Sequence, residues 1–298
     1  MTQRASALPA WDERDLTALL TLEPRGAGRW RTRFGDANLN GRSYGGQALG
    51  QAMRALAMEV PPDRPATMLQ FLFLQGSMPD QPIDFEVATL QDGRRFSSRH
   101  VRGTQNDGRA LVVDAHATFA AALPAPSHEV PSGATENDPE ALPTLDDLPA
   151  EWGECLRDFG AYSLVQKPSL DFRVPQPEQQ LAQSQSDARL RFWLRARGPF
   201  GDNPGLHAAA FAYLSDWWLN FATLAPHMDG SAAGRRIYVS SLNHSIWFHR
   251  PPVADRWMHF DVHSPGGLDG RGLVISRAHD RAGRLVASAT QECLMAYL

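Results

Sequence analysis

The chain has 298 residues, 43% hydrophobic and 21% charged, with a formal net charge of -4. That length and apolar content allow one large domain or two smaller ones with a sizeable core, and the acidic balance excludes a basic field for tracking nucleic acid. Two cysteines, Cys155 and Cys293, cannot build a disulfide framework, so a reducing, cytoplasmic setting is expected.

Residues 1–15 lack the apolar stretch and small-residue cleavage site of a signal peptide. No run approaches the roughly 18 apolar residues of a membrane helix. A helical patch at 11–22 is followed by an alternating, strand-like run at 30–34 and a glycine-bearing loop at 35–46. From 46 to 60 the period changes: Ala48, Leu49, Ala52, Met53, Leu56 and Val60 recur at three and four, and Pro61-Pro62 ends the helix. Strand-like runs follow at 67–74, 83–90, 96–104 and 110–121, separated by turn signals such as Asp92-Gly93 and Asn106-Asp107-Gly108. Residues 123–149 shift to Pro, Ser, Asp and Glu, a linker composition. A short helix is expected at 152–159 and a strand at 189–196. A helix apolar on nearly every side, and therefore buried, is expected at 206–224. Four more strands are expected at 239–249, 257–263, 272–280 and 285–297.

One helix and four strands thus occur twice. Laying the second half on the first puts Phe85-Glu86-Val87 on Phe260-Asp261-Val262, Arg102 on Arg277, and Gly108-Arg109 on Gly283-Arg284. A duplication in this order predicts an α+β fold, a tandem (double) hotdog. Two long central helices are wrapped by one continuous curved antiparallel sheet, because pairing of the halves covers a sheet edge that each alone would expose. The expected units are an N-terminal hotdog over 1–122, a linker region over 123–185 and a C-terminal hotdog over 186–298.

Several chemistries lack their signatures. There is no G-x-S-x-G, no phosphate-binding glycine loop, no H-E-x-x-H and no paired C-x-x-C, so neither a metal nor a nucleotide cofactor is expected. Five features remain. Residues 240–251 read as a core strand crowded with Ser241, Asn243, His244, Ser245 and His249, groups that need partners when buried. Asp216 falls within the buried second helix; burial would raise its pKa and suit it to act as a base, whereas a solvent-facing or Arg-paired Asp is the structural alternative. Ser43-Tyr44-Gly45-Gly46-Gln47 opens the first helix, where glycines admit a ligand or simply form a tight turn. Gln291 lies on the last strand, where a polar residue more often meets water. Asp202 and His207 have the spacing of the acid–base pair in hotdog enoyl-CoA hydratases, but an Asn-Pro helix start explains them as well.

Five segments together resemble the acyl-CoA thioesterase II family of double-hotdog thioesterases. They are 44–52, 90–99, Tyr213 to Asp216, Asn243-His244-Ser245-Ile246-Trp247-Phe248-His249-Arg250-Pro251, and 287–292. The resemblance implies hydrolysis of acyl-CoA to a free acid and CoA by a water held on Asp216, Ser241 and Gln291, with Ser241 where the family often has Thr. It implies substrate contacts at Gly45, Gly46, Gln47, Phe71 and Trp217, an oxyanion bound by amides at a helix start, and a homo-oligomer. Gln70 and Gln75 stand where many members carry His and Arg, a departure that leaves room for altered rate or acyl preference, or for a non-catalytic acyl-CoA-binding protein.

Overall fold

The computed structural model describes residues 7–130, 138–153, 156, 164, 166–181, 187–228 and 237–298. Cys155 and most of the helix expected at 152–159 lie outside them. The chain begins with α1 (Leu16–Leu20), whose N-terminus is capped by the Asp15 carboxylate. A hairpin follows, β1 (Leu22–Gly26) and β2 (Arg29–Thr32). Then come α2 (Gly45–Met58), β3 (Ala66–Phe73), β4 (Asp84–Asp92), β5 (Phe96–Gln105) and β6 (Ala110–Ala120). The β5–β6 turn holds Asn106, Asp107 and Gly108 at positive φ, as its sequence demands. The second half contains β7 (Leu170–Arg173), α3 (Pro177–Leu181), β8 (Arg189–Ala196), α4 (Pro204–Leu214) and α5 (Phe221–Leu224). It ends with β9 (Ile237–Phe248), β10 (Met258–Leu268), β11 (Arg271–Asp280) and β12 (Leu285–Tyr297).

Among the described residues, twelve strands form one antiparallel sheet in the order β1-β2-β4-β5-β6-β3-β9-β12-β11-β10-β8-β7. The halves meet at β3 and β9, where Met68 to Leu72 pair with Trp247 to Asn243. This is the double-hotdog, α+β architecture expected from the repeat. Inner-face residues such as Leu69, Phe71, Ile246 and Ala289 alternate with outer-face ones and pack on α2 and α4 in a single core that spans both halves. β7 falls within the stretch read as a linker and extends the sheet beyond β8.

The second helix is shorter than its apolar run. α4 ends at Leu214 with Ser215 as C-cap, and Trp218 adopts φ +60° before α5 begins. The periodicity continues through the turn because both sides of it are buried, so the sequence carries no polar break to mark it. The consequence is local: Asp216 stands just beyond the helix end.

Candidate functional site

Three elements converge on the Asp216 carboxylate. Oδ1 accepts from the Ser241 hydroxyl on β9 at 3.0 Å and from the Gln291 amide Nε2 on β12 at 2.7 Å. The Gly46 backbone amide, at the start of α2 in the other half, also donates to this carboxylate. Gln291 Nε2 reaches Ser241 Oγ at 2.5 Å, and Asn220 Nδ2 approaches the same oxygen at 3.4 Å. Burial pushes the Asp216 pKa up to about 6, against the opposing pull of Ser241, Gln291 and Gly46. The structure therefore brings Asp216, Ser241 and Gln291 together from positions far apart in the chain.

Gln291 is fully buried, as is His244 beside it on β9. Its Oε1 lies 3.2 Å from His244 Nδ1, and His244 Nε2 lies 3.0 Å from Ser215 Oγ. Two acceptors cannot face each other. With the Gln291 amide donating toward Asp216, its oxygen must accept from Nδ1–H; Nε2 of the neutral ring then competes with the Ala212 carbonyl, 2.9 Å from Ser215 Oγ, for the single Ser215 hydroxyl proton. Burial lowers the His244 pKa to about 4, so the ring is neutral near pH 7. His244 stands out in the sequence as a polar group on a core strand, but only the fold places it behind Gln291.

The start of α2 is built by close approach. A Cβ on Gly45 would lie 2.5 Å from Asp216 Oδ2, and one on Gly46 would lie 2.3 Å from the Tyr213 carbonyl oxygen. Gln47 differs from its expected role. Its Oε1 accepts the Asp36 amide at 2.6 Å and its Nε2 donates to Gln51 at 3.0 Å, so it fastens the preceding loop to the helix and is spent on structure. Beneath this turn lies a network the sequence does not disclose. Asp36 receives Lys167 Nζ at 2.7 Å and the Tyr213 hydroxyl at 2.8 Å, and Ser169 meets that hydroxyl at 2.7 Å. Lys167 also sits 4.9 Å from the Tyr44 ring centroid.

Phe71 is buried on the inner face of β3, its ring 4.6 Å from that of Phe73, which borders Gly45. Trp217 is partly buried next to Asp216, 6.0 Å from the Tyr44 ring. Gln70 and Gln75 are both exposed. Gln70 lies on the outer face of the sheet opposite Ser245, remote from the carboxylate. Asp202 is exposed, and both His207 nitrogens are engaged: Nε2 with the Gly201 carbonyl at 2.8 Å and Nδ1 with the Ala254 amide at 3.1 Å. That histidine is a latch between α4 and the segment before β10. Among the described residues, one set of side chains could converge on a metal, His100, Asp114 and His116, and it lies on the outer face of β5 and β6.

Models of the acyl-CoA thioesterase N-terminal domain and C-terminal domain match residues 35–120 and 139–295. The mouse acyl-coenzyme A thioesterase 8 is 30% identical over 287 residues, covering 93% of this chain and 87% of that protein. Acyl-CoA thioesterase 2 of Haemophilus influenzae is 26% identical, covering 85% and 87%. The crystal structure of an acyl-CoA thioesterase II from Mycobacterium marinum superposes with a TM-score of 0.74 at 27% identity, covering 95% of this chain and 97% of that one. Matched in order through both halves and through every element that meets at Asp216, the chain belongs to the acyl-CoA thioesterases, double-hotdog hydrolases of acyl-CoA thioesters.

Proposed function

We propose that Asp216, Ser241 and Gln291 hold and activate the water that hydrolyses an acyl-CoA thioester in this enzyme. The observation that carries this reading is the convergence of Ser241 and Gln291 on one carboxylate oxygen whose pKa burial has raised to about 6. A carboxylate with that affinity is ionised at pH 7 and basic enough to accept a proton. The water oxygen attacks the thioester carbonyl carbon while Asp216 takes the water's proton. The tetrahedral intermediate collapses with cleavage of the C–S bond, and the proton passes to the departing CoA thiolate. Neither a covalent acyl-enzyme nor a metal is required. The first turn of α2 presents amides without intrahelical partners, one of which already serves Asp216; this turn stabilises the oxyanion. Phe71, Phe73 and Trp217 flank the acyl chain.

Replacing Asp216 with Asn tests the assignment. Thiol release from acyl-CoA is expected to fall by about 10²–10⁴-fold, the range for loss of a general base, with the fold retained. An unchanged rate would remove Asp216 from the mechanism. The hydratase reading is not favoured, because His207 has no free nitrogen. A purely binding role loses its motive with Gln70 on the outer face. Exposed Leu72, Trp247 and Leu273 on the sheet support assembly with a second copy, which light scattering on the eluting protein would measure. A cytoplasmic location is consistent with a buried free thiol at Cys293 and with the absence, among the described residues, of any helix able to cross a membrane.

A further inference from the structure

The halves are related by a pseudo-twofold axis, visible in their register. At the β3–β9 seam Gln70 faces Ser245, and the pair Leu69–Ile246 recurs with roles exchanged as His244–Phe71. Where the helices cross, a Cβ on Gly46 would meet the Tyr213 carbonyl, and one on Gly205 would meet Ala57 and Arg54. The exchange that carries Gly46 onto Gly205 carries Arg54 onto Tyr213 and Ala57 onto Asp216. On the strands it carries Ala66 onto Ser241 and Leu69 onto His244. Ala117, which faces Leu69, falls on Gln291, which faces His244. The Asp216 site thus has an image at the opposite ends of both helices. Asp216, Ser241, His244 and Gln291 become Ala57, Ala66, Leu69 and Ala117 in the image, so the same water chemistry has no means there.

The image has kept its space. A cavity of 490 Å³ opens at this place, bordered by Ala57 and Ala66; pockets for small ligands span about 300–1,000 Å³. Met53, Met58, Val60 and Phe119 give it apolar walls. Into it comes Arg54, partly buried, its Nε without a hydrogen-bond partner among the described residues and its charge opposed by burial alone. Arg64, on another wall, is instead tied by Nη1 to Ser97 Oγ at 2.7 Å. A partly desolvated cation with no counter-charge is costly, and an incoming anion relieves it. One unpaired guanidinium with Asp202 also on the lining matches a single negative charge better than a phosphate, and the walls suit an alkyl chain.

We propose that this image site binds a medium-chain carboxylate, the acid the enzyme releases, with the carboxylate on Arg54 and the chain along Met53, Met58 and Phe119. It uses the family's product but no residue of the proposed water site, so either assignment can fail without the other. The test is calorimetric titration of decanoate into the full chain, into Arg54→Gln and into Val60→Trp, which fills the cavity. The wild type is expected to bind one more decanoate per chain than either variant, and decanoate is expected to raise the melting temperature of the wild type above that of similarly treated variants. Thiol release by Arg54→Gln should stay within twofold of wild type. Equal stoichiometry and affinity in wild type and Arg54→Gln would overturn the proposal. So would equal binding of uncharged decanol at this site, or displacement of decanoate by inorganic phosphate, which would assign the site to a different anion.

Discussion

Asp216 has a proton affinity that its three donors only partly undo. Its pKa of about 6 means that the basic form, and hence thiol release, should rise with pH through about 6 and level off above it; a rate flat from pH 4.5 to 7.5 would argue for another base. The same shift bears on stability with a definite sign. The folded chain keeps this proton up to about pH 6, whereas an unfolded Asp loses it near 4. The buried charge is therefore a penalty in full above pH 6, relieved as pH falls toward 4. Asp216→Asn should accordingly be more stable than wild type at pH 8, on the order of 1–3 kcal/mol, with the difference shrinking by pH 4.5. Paired thermal melts at the two pH values measure this. Ser241 tests the hydroxyl. Ser241→Thr keeps the donor and should retain activity within a few-fold, while Ser241→Ala should lose tenfold or more, about 1.4 kcal/mol of transition-state stabilisation. Equal rates for the two variants would release Ser241 from the water.

At the scale of elements, the site depends on how closely α2 approaches the end of α4. Gly45→Ala puts a methyl where Asp216 Oδ2 and the Phe73 ring already are, at 2.5 and 3.2 Å. The carboxylate must then move. A drop of at least tenfold in kcat is expected, about 1.4 kcal/mol, with the circular dichroism spectrum unchanged. A variant of full activity would mean that the close approach has no catalytic meaning. This scale also marks what the sequence could disclose. The period of Leu49, Ala52, Met53 and Leu56 makes α2 legible, and alternation makes most strands legible, because burial on one face leaves a trace in composition. The end of α4 leaves none: Trp218 turns the chain at φ +60° inside apolar surroundings, where residues on both sides look alike. The same limit applies to the site. Asp216 and the crowded strand around Ser241 are conspicuous because polar groups are unexpected in a core. Gln291 is ambiguous, since one-residue alternation on β12 cannot say which neighbour faces inward. Gln47 resembles a ligand contact until Asp36 and Gln51 are seen to occupy it.

For the whole molecule, no division of the sheet leaves either half covered, because β3 and β9 pair along the middle. A second tie crosses the halves: Lys167 and Tyr213 both bind Asp36 beneath α2. Heat unfolding should therefore appear as one calorimetric transition with matching calorimetric and van't Hoff enthalpies; two resolved peaks would show that the halves melt separately. Lys167→Ala leaves the buried Asp36 carboxylate without its cation and should cost about 3 kcal/mol, read as a lower denaturant midpoint at unchanged slope. The seam has one more consequence. Gln70 and Ser245 are each other's image, so a change at either acts where both copies meet. On the central strands a substitution has a counterpart at the matching register with a different task. Gln291→Ala and Ala117→Gln exchange the same two side chains, one inside the chemistry and one outside it. The molecule thus carries its own control, by which the effect of a side chain on packing can be separated from its effect on rate.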